Sequence, residues 1–466
     1  MTVDPTTPAP VPGARRSISR RGLLAGAAAG GVAALVPLSG EAVARQFTAA
    51  VEGKAKPASA IDFFGDSSLN YSALSPVGAA AYGASNLGEV LTTFNRIHQR
   101  DNTYGAYGEE FLAIGRKLAR EAEAAEHAGR KVTARDCYLR AATYLDQALF
   151  YVFAGDHPTR ARQAVVYREM ERAFARAGAL FAPKFERVAI PYGKRQLPGW
   201  LMTPPGKRIR RPTIILNNGS DAQNIDMYVF GGRAAVDRGF NALIFEGPGQ
   251  GSNLFLHGIP FRSDWEHVII PVVDFLRAHP AVDRKRIVLS GSSFGGYLVA
   301  RAAAFEHRLA ALIVDPGVVN TFISWQQQLP KPLLKLLYAH ERDTFNTYWH
   351  DALAHLPAAI RFEVRKRAQI FGFRSFYDQM TLARQFVLTK AVAGRIATPT
   401  IVTEPQQDAF YPGQSLKLTP WLTARPKRLE RFTASDGSQF HCEPMNPTVR
   451  NDRIFDWVEG HLRPTS

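Results

Sequence analysis

The apolar residues follow two different spacings, and the change falls near residue 181. Over residues 63–181 they recur every three or four positions, as in Phe111, Ile114 and Leu118. This spacing is typical of amphipathic helices, and glycine and proline residues interrupt it often enough to separate at least three of them. We therefore predict an N-terminal helical domain over residues 45–185.

Beyond residue 181 the pattern changes to short runs rich in β-branched and aromatic residues, which alternate with helical windows. The runs are Arg187–Pro191, Leu197–Met202, Thr213–Leu216, Ala242–Phe245, Ile287–Ser290, Ala310–Asp315, Thr400–Thr403 and Leu429–Phe432, and the windows are Met227–Asp237, Val268–Ala278 and Phe294–Phe305. Such alternation predicts an α/β fold with a mostly parallel, doubly wound sheet over residues 186–466. A short Gly-Lys turn joins the first two runs, which we expect to form an antiparallel edge.

The segment between Asp315 and Thr400 contains helical stretches such as Phe362–Phe371 and Phe376–Val387, and no convincing strand. We interpret residues 317–395 as a helical lid over the carboxyl ends of the strands, where open α/β sheets hold their sites. Its early part is apolar and aromatic, in Phe322, Trp325, Leu329, Leu333, Leu336, Leu337 and Tyr338. These residues suit a hydrophobic or aromatic substrate, or they pack the lid helices together.

The chain opens with an export signature. Arg20 and Arg21 precede a weakly apolar run from Gly22 to Leu38, and Ala42–Ala44 offers a small-residue cleavage site. This arrangement resembles a twin-arginine signal. The run is rich in alanine and glycine, so it predicts cleavage near Ala44 rather than a stable membrane anchor. We expect residues 1–44 to be a signal peptide and the mature protein to be secreted or periplasmic; the alternatives are an uncleaved anchor or a disordered basic leader.

Composition narrows the range of functions. The 466 residues carry a formal net charge of +16, but the basic residues are spread out and no nucleic-acid motif is present. We therefore expect a solvated basic surface and no nucleic-acid partner. Cys137 and Cys442 cannot form a disulfide framework or a four-cysteine zinc site, and each is expected to be a buried free thiol. The histidines form no cluster with ligand spacing, so we assign no metal and no cofactor.

The strongest chemical motif follows the run Ile287–Ser290. It is Gly291-Ser292-Ser293-Phe294-Gly295, a G-x-S-x-G pattern between a predicted strand and a helix. In this context the glycines allow a sharp turn that exposes the serine hydroxyl at a helix N-terminus. We predict Ser293 as a nucleophile and the Phe294 amide as an oxyanion donor; a helix-capping serine is the structural alternative.

A serine nucleophile needs a base, and the partners in this architecture follow in the order acid, then histidine. Asp408 comes just after the run Thr400–Thr403, and His441 follows the last predicted strand. We predict that His441 transfers the proton and that Asp408 orients it. Glu404 is the rival acid. A turn aspartate and a surface histidine are the structural alternatives.

The second oxyanion donor is expected from the loop after the third run, where Asn217 to Asp221 stand. Ser220 is our choice, with Asp221 or a simple turn as alternatives. The second glycine-rich segment, Glu246–Gly251, lacks the ending of a phosphate loop and predicts a tight turn beside the site.

Taken together, these motifs resemble α/β-hydrolases with an N-terminal helical domain, a group that includes 2,6-dihydroxypseudooxynicotine hydrolase, the fermentation-respiration switch protein and fungal hydrolases that shorten pigment polyketides. The resemblance rests on the segments Asn218–Asp221, Glu246–Gly251, Arg262–Glu266, the Ser293 turn and Gly437–Trp457. It implies a triad of Ser293, Asp408 and His441. It also implies cleavage of an ester, an amide or a carbon–carbon bond next to a ketone.

We therefore expect an exported serine hydrolase that acts on an ester or cleavable ketone in a small, mostly apolar carbonyl compound. The motif Gly295-Gly296-Tyr297 resembles that of secreted prolyl-oligopeptidase-type enzymes, so an aminopeptidase is the enzymatic alternative. A non-catalytic protein that binds a partner through the helical domain is the other. The sequence leaves open whether the chain forms a homodimer.

Overall fold

A computed structural model describes residues 39–52, 62–155, 158–207 and 209–462. The twin-arginine segment falls outside these residues. The described chain has the predicted α/β architecture, with a mixed sheet, helices on both faces and a helical region before the first strand.

The sheet has eight strands in the order β1-β2-β4-β3-β5-β6-β7-β8. They are β1 Glu186–Tyr192, β2 Arg195–Met202, β3 Arg211–Asn217, β4 Asn241–Phe245, β5 Val282–Ser292, β6 Ala311–Asp315, β7 Thr400–Pro405 and β8 Lys427–Phe432. Strands β1 and β2 form the predicted antiparallel edge, and β2 also runs antiparallel to β4. All other pairs are parallel. Each predicted run overlaps one of these strands. Strands β4, β6 and β7 are wholly buried, as are the later residues of β3 and β5, and their sequences are correspondingly apolar.

The helices that connect the strands are α7 Asn224–Met227, α8 Arg233–Asp237, α9 Gly251–Phe255, α10 Glu266–Ala278, α11 Gly295–Ala303, α18 Gln414–Leu418 and α19 Pro447–Leu462. The helical segment predicted near Met227–Asp237 is present but interrupted. The chain kinks between α7 and α8, where Phe230 and Gly231 leave helical geometry and Gly231 takes a φ of 139°. A positive φ of this size is readily available only to glycine.

The N-terminal helices are α1 Gly40–Glu52, α2 Ser67–Ala79, α3 Leu87–Arg100, α4 Tyr104–His127, α5 Lys131–Leu149 and α6 Arg160–Leu180. Polar side chains cap several of them in the expected way. Asp66 accepts from the Ser68 and Leu69 amides at the start of α2. Helices α4, α5 and α6 pack in sequence, with Tyr107, Phe111 and Tyr144 wholly buried among them.

Six helices lie between β6 and β7, where the lid was predicted. They are α12 Ile323–Gln328, α13 Lys331–Tyr338, α14 Arg342–His355, α15 Ala358–Ala368, α16 Phe376–Ala383 and α17 Lys390–Ala393. Helix α16 ends four residues before the predicted limit, and Val387 instead forms an isolated antiparallel bridge with Asn320.

Helix α1 packs against the lid. The Gly40 amide donates to Asp351 Oδ2 of α14 at 2.8 Å, and the Phe47 ring meets that of Trp349 edge to face at 5.3 Å. The predicted cleavage position lies inside this helix, where Ala44 is only 2% exposed. A signal peptidase cut there would require α1 to unfold first.

Among the described helices, none combines the length and the apolar composition that crossing a membrane requires.

Candidate active site

A sharp turn between β5 and α11 carries Ser293, whose backbone φ is 60°. This conformation costs a residue with a Cβ atom about 1–3 kcal/mol, so the surroundings must hold it in place. A Cβ on Gly291 would lie 2.3 Å from the Gly295 carbonyl oxygen, so glycine is required at that position. The Ser293 amide donates to the Asp315 carbonyl at 2.6 Å. The turn thus sets the serine at the carboxyl end of the central strand.

The imidazole of His441 lies between the serine and an aspartate. Its Nε2 is 2.8 Å from Ser293 Oγ, and its Nδ1 is 3.1 Å from Asp408 Oδ1. A carboxylate can only accept, so Nδ1 carries the hydrogen and Nε2 is free to accept from the serine hydroxyl. The structure therefore brings Ser293, His441 and Asp408 together in one hydrogen-bonded chain, and His441 is only 4% exposed.

Asp408 occupies a loop just after β7. Its Oδ1 also accepts from the Phe410 and Tyr411 amides, at 2.8 and 3.0 Å. Burial raises the pKa of Asp408, but His441 and these two amides outweigh burial and hold the pKa below its ordinary value. Glu404, the rival acid, lies on β7 opposite Arg431 of β8, and it has no bond to the histidine.

The charges around His441 favour its protonated form. Burial lowers the pKa of His441, but the facing Asp408 carboxylate more than offsets burial, with further help from Asp315 and Asp221, so the pKa lies above its ordinary value. An imidazole in this setting can take a proton and hold it while a reaction proceeds. The backbone of the same residue is fixed from the helical domain, because Tyr71 of α2 donates to the His441 carbonyl at 2.9 Å. Sequence patterns gave no sign of this contact.

The loop after β3 lies directly against the serine turn. A Cβ on Gly219 would lie 2.8 Å from Ser293 Cβ and 3.1 Å from the Phe294 amide nitrogen. Among the described residues, the amides of Phe294 and Ser220 have no hydrogen-bond acceptor, and both residues line the cavity above Ser293. These amides can donate hydrogen bonds to an oxyanion. The Asp221 amide in the same loop also has no acceptor among the described residues, so Asp221 remains the alternative to Ser220 as the second oxyanion donor.

A buried ion pair holds the turn that carries Ser293 in place. Arg450 of α19 is 1% exposed and donates from Nε to Asp315 Oδ2 at 2.7 Å. Its Nη1 donates to the Phe230 carbonyl at 3.0 Å. The carbonyl of Asp315 receives the Ser293 amide, so this pair anchors the nucleophile's backbone. Sequence analysis missed the pair because its members are 135 positions apart and share no motif.

The second glycine-rich segment forms a turn beside the site. Gln250 donates from its side chain to the Asn218 carbonyl at 2.9 Å, which holds the loop that approaches Ser293. Trp265 adds a second tie, from Nε1 to Asn217 Oδ1 at 2.8 Å. Glu246 accepts from Tyr167 of α6 at 2.6 Å and so joins the helical domain to the sheet.

The serine opens onto a cavity of about 630 Å³. Its walls come from the sheet loops, from α2 and α5, and from lid helices α12 and α15. Besides the triad region, the polar lining residues include Asp146, Asp221, Asp226, Ser324, Gln328, Glu363, Lys366 and Arg367. The cavity is therefore enclosed by the helical domain and the lid, and its wall is more polar than the lid sequence indicated.

The apolar lid residues have a structural role in most cases. Of the seven named above, only Trp325 lines the cavity. Leu333 and Leu337 are buried within the lid, whereas Tyr338 is 46% exposed. The packing alternative therefore holds for the five buried residues that do not line the cavity, and the lid faces the cavity with α12 and with one side of α15.

Cys137 and Cys442 are buried free thiols. Burial raises the pKa of both, most strongly for Cys442 beside Asp315 and Glu443. Within the part of the chain that the structure describes, no group of three or more histidine, cysteine, aspartate or glutamate side chains is placed to hold a metal ion.

Comparison with known proteins shows the family and the fold of this chain. The model of the alpha/beta hydrolase family matches residues 224–434. Hydrolase ORFZ of Pyricularia oryzae is 30% identical over 86% of this chain and 98% of its own length. The 20-hydroxy-prefusarin hydrolase FUS2 of Gibberella moniliformis is 29% identical over 82% of this chain and 89% of its own. A crystal structure of a 2,6-dihydroxy-pseudo-oxynicotine hydrolase shares the fold, with a TM-score of 0.61 and 21% identity over 83% of this chain and 95% of that one.

Proposed function

Since this chain belongs to the alpha/beta hydrolase family and is an enzyme of the hydrolase class, we propose that it is a serine hydrolase that cleaves an ester or a ketone-adjacent carbon–carbon bond in a small carbonyl compound. The observation that carries the proposal is the chain of hydrogen bonds from Ser293 through His441 to Asp408.

In the first half of the reaction, Ser293 Oγ attacks the substrate carbonyl while His441 Nε2 takes the hydroxyl proton. Asp408 holds the imidazole orientation and offsets the charge that forms on it. The amides of Phe294 and Ser220 donate to the oxyanion of the tetrahedral intermediate. Collapse of that intermediate breaks the scissile bond and leaves an acyl group on Ser293.

The proton on His441 then passes to the leaving group. For an ester that group is an alkoxide, and for a ketone it is a carbanion. Water, activated by the same histidine, releases the acyl group and restores the serine. No step needs a cofactor.

The cavity supports a small substrate. Its volume of about 630 Å³ lies within the range of roughly 300–1,000 Å³ that is usual for small-molecule sites. FUS2 and the nicotine-related hydrolase are named for small organic substrates.

Three substrate panels test the proposal with purified protein. They contain aryl esters, β-diketones and aminoacyl anilides, and Ser293→Ala serves as the inactive control. We expect turnover of esters or diketones that disappears in the control. Turnover of anilides without esters or diketones would instead favour an aminopeptidase, and activity that survives in Ser293→Ala would refute the triad.

We also propose export by the twin-arginine route, on the strength of Arg20 and Arg21 before the apolar run. Cell fractionation of the wild type and of the double variant Arg20→Lys, Arg21→Lys tests this. The variant is expected to stay in the cytoplasm. The intact mass of the exported protein gives the mature N-terminus, and a start before Gly40 would keep helix α1 whole.

A further inference from the structure

Helix α15 turns a charged side toward the cavity. Ile360, Glu363, Lys366 and Arg367 all line it, and their spacing of three and four positions places them on one face of the helix. Charged residues ordinarily mark the solvent face of a lid helix, and each buried charge costs free energy unless it has a partner. This inward face therefore needs an explanation that packing alone does not supply.

Arg367 is held in place by neutral groups. Its guanidinium donates to Gln328 Oε1 at 3.0 Å and to Ser324 Oγ at 2.8 Å, and it stacks 4.4 Å from the Trp325 ring centroid. No carboxylate of the described residues forms an ion pair with it. The group is thus oriented without an ion pair, although the charges of Glu363 and Asp221 act on it.

Lys366 makes fewer contacts with its neighbours than Arg367 does. Its Nζ lies 5.3 Å from the Tyr151 ring centroid. Within the described ranges, it has neither a hydrogen-bond acceptor nor an ion-pair partner. An ammonium has three donors, so in this half-buried position it can donate to a ligand oxygen without losing any protein hydrogen bond.

The acids around the cavity are mostly engaged already. Asp226 Oδ2 accepts from the Gln223 amide at 2.7 Å. Asp146 Oδ2 accepts from Gln147 at 3.3 Å, and Asp221 accepts from the Ser220 hydroxyl. Two acceptor atoms remain open, because Glu363 Oε1 and Asp146 Oδ1 are buried without a partner. An open acceptor beside two open cations suits a ligand that carries an acidic oxygen next to a hydroxyl or enol.

The cations border the reaction centre. The Tyr411 hydroxyl lies close enough to Arg367 to influence the pKa of that guanidinium, and the Tyr411 ring centroid is 5.6 Å from that of His441. Ser293 and His441 line the same cavity as Lys366. A substrate whose carbonyl meets Ser293 can therefore extend another oxygen toward α15.

We propose that Lys366 and Arg367 form a subsite for an anionic oxygen of the substrate, either a carboxylate or the enolate of a 1,3-dicarbonyl compound. This proposal rests on the proposed function and gives its substrate an acidic end. For a diketone the subsite would also act during cleavage. Ser293 Oγ bonds to one carbonyl carbon, the carbon–carbon bond breaks, and its electron pair moves onto the second carbonyl oxygen as an enolate beside the cations. His441 returns the serine proton to the enolate carbon.

Two esters of similar size test the subsite in the full-length protein. They are 4-nitrophenyl hemiglutarate, which carries a carboxylate, and 4-nitrophenyl pentanoate, which does not. The wild type is expected to prefer the anionic ester. Lys366→Met should lower kcat/KM for that ester by about 10- to 100-fold, mainly through KM, because a charge-assisted hydrogen bond is lost. The neutral ester should change by less than about threefold, and Lys366→Arg should restore the preference.

Arg365→Met is the matched control, since Arg365 is the neighbouring cation on α15, is exposed and does not line the cavity. It should leave both esters unchanged. Benzoylacetone distinguishes the two sources of the anion: a loss of kcat in Lys366→Met with this diketone points to the enolate, and a loss confined to the hemiglutarate points to a carboxylate.

A readout without turnover uses protection of Ser293 from a fluorophosphonate. Benzoate is expected to protect the wild type better than benzamide does, and Lys366→Met should abolish the difference. Equal protection by both compounds, or equal losses on both esters, would overturn the subsite. If Ser293→Ala kept the ester activity, the proposed function itself would fail, which is a separate result.

Discussion

The cavity has one wall made by the loops of the sheet and another made by helices of the N-terminal domain and the lid. In the sheet wall, His441 is bonded on both ring nitrogens, and Asp408 Oδ1 accepts two backbone amides. In the helical wall, Lys366 has no acceptor and Glu363 Oε1 has no donor among the described residues. A site whose groups are bonded to one another is organised before substrate arrives. We expect that a ligand completes the wall whose charges are open.

This contrast separates chemistry from specificity. In the proposed mechanism, the sheet wall supplies a nucleophile, a base and amide donors, which act on any accessible carbonyl. We propose that the helical wall selects which carbonyl compound enters. Changes in the first wall should therefore alter the rate for every substrate, and changes in the second should alter the ranking of substrates.

The largest effect is expected for Ser293→Ala. It removes the only atom that can form the acyl bond, and comparable triad deletions cost about 10⁴- to 10⁶-fold in kcat. Esterase assays of the variant and of Ser435→Ala, an exposed serine outside the cavity, check this. The control should keep wild-type activity. A residual rate within tenfold of wild type would mean that the sheet wall is not the reacting one.

Asp408→Asn should cost about 10³- to 10⁴-fold in kcat, because the amide no longer fixes the productive imidazole tautomer. The pH profile gives a second readout. Neutral His441 is the active base, and the Asp408 carboxylate raises its pKa. Activity in the wild type should therefore rise with pH through a midpoint above the ordinary histidine value. The variant's midpoint should move to lower pH, and an unchanged midpoint would contradict the assigned pairing.

Arg450→Met tests the support beneath the sheet wall. It leaves the Asp315 carboxylate buried with Thr403 as its remaining hydrogen-bond donor, and breaking such a pair costs about 3–5 kcal/mol in the free energy of unfolding. Arg453→Met on the same helix is the control. Arg453 is one-third exposed and pairs with Asp436 at 3.1 Å and with Glu430 at 3.9 Å, so its loss should lower the free energy of unfolding much less than the loss of Arg450. Urea unfolding curves compare the two, and equal midpoints would refute a structural role for the buried pair.

Gly219→Ala should give the smallest of these effects. The new Cβ would press on Ser293 Cβ and on the Phe294 amide, and loss of one oxyanion donor costs about 10²- to 10³-fold in kcat. Gly460→Ala in α19 is the control, because its Cβ meets no atom within 4 Å. That change should stabilise the helix slightly and leave kcat alone. Unchanged kcat in Gly219→Ala would remove the loop after β3 from the oxyanion site.

The two walls also differ in how far sequence could predict them. The strands were found because buried parallel strands read as continuous Val, Ile and Leu runs. Ser293, Asp408 and His441 were found because the turn after β5 needs glycine at fixed offsets and because the partners keep a fixed order in the chain. Both signals are local or ordered along the chain, so one sequence is enough to see them.

The remaining features depend on tertiary contacts. Lys366 and Arg367 look like solvent-facing charges on a helix, and only the position of α15 shows that they face inward. Arg450 and Asp315 meet across 135 positions without a shared motif. Helix α1 follows directly on an apolar run in the sequence. The sequence therefore could not show whether residues 40–44 end a signal peptide or belong to a helix that packs against Trp349.

The most direct test of the triad is covalent labelling with a fluorophosphonate, followed by peptide mapping of the wild type and of His441→Ala. We expect a single adduct on the hydroxyl of residue 293 in the wild type and at least a hundredfold slower labelling once the imidazole is gone, on the order expected for loss of a general base. An adduct on another residue, or labelling that proceeds equally fast without the histidine, would contradict it.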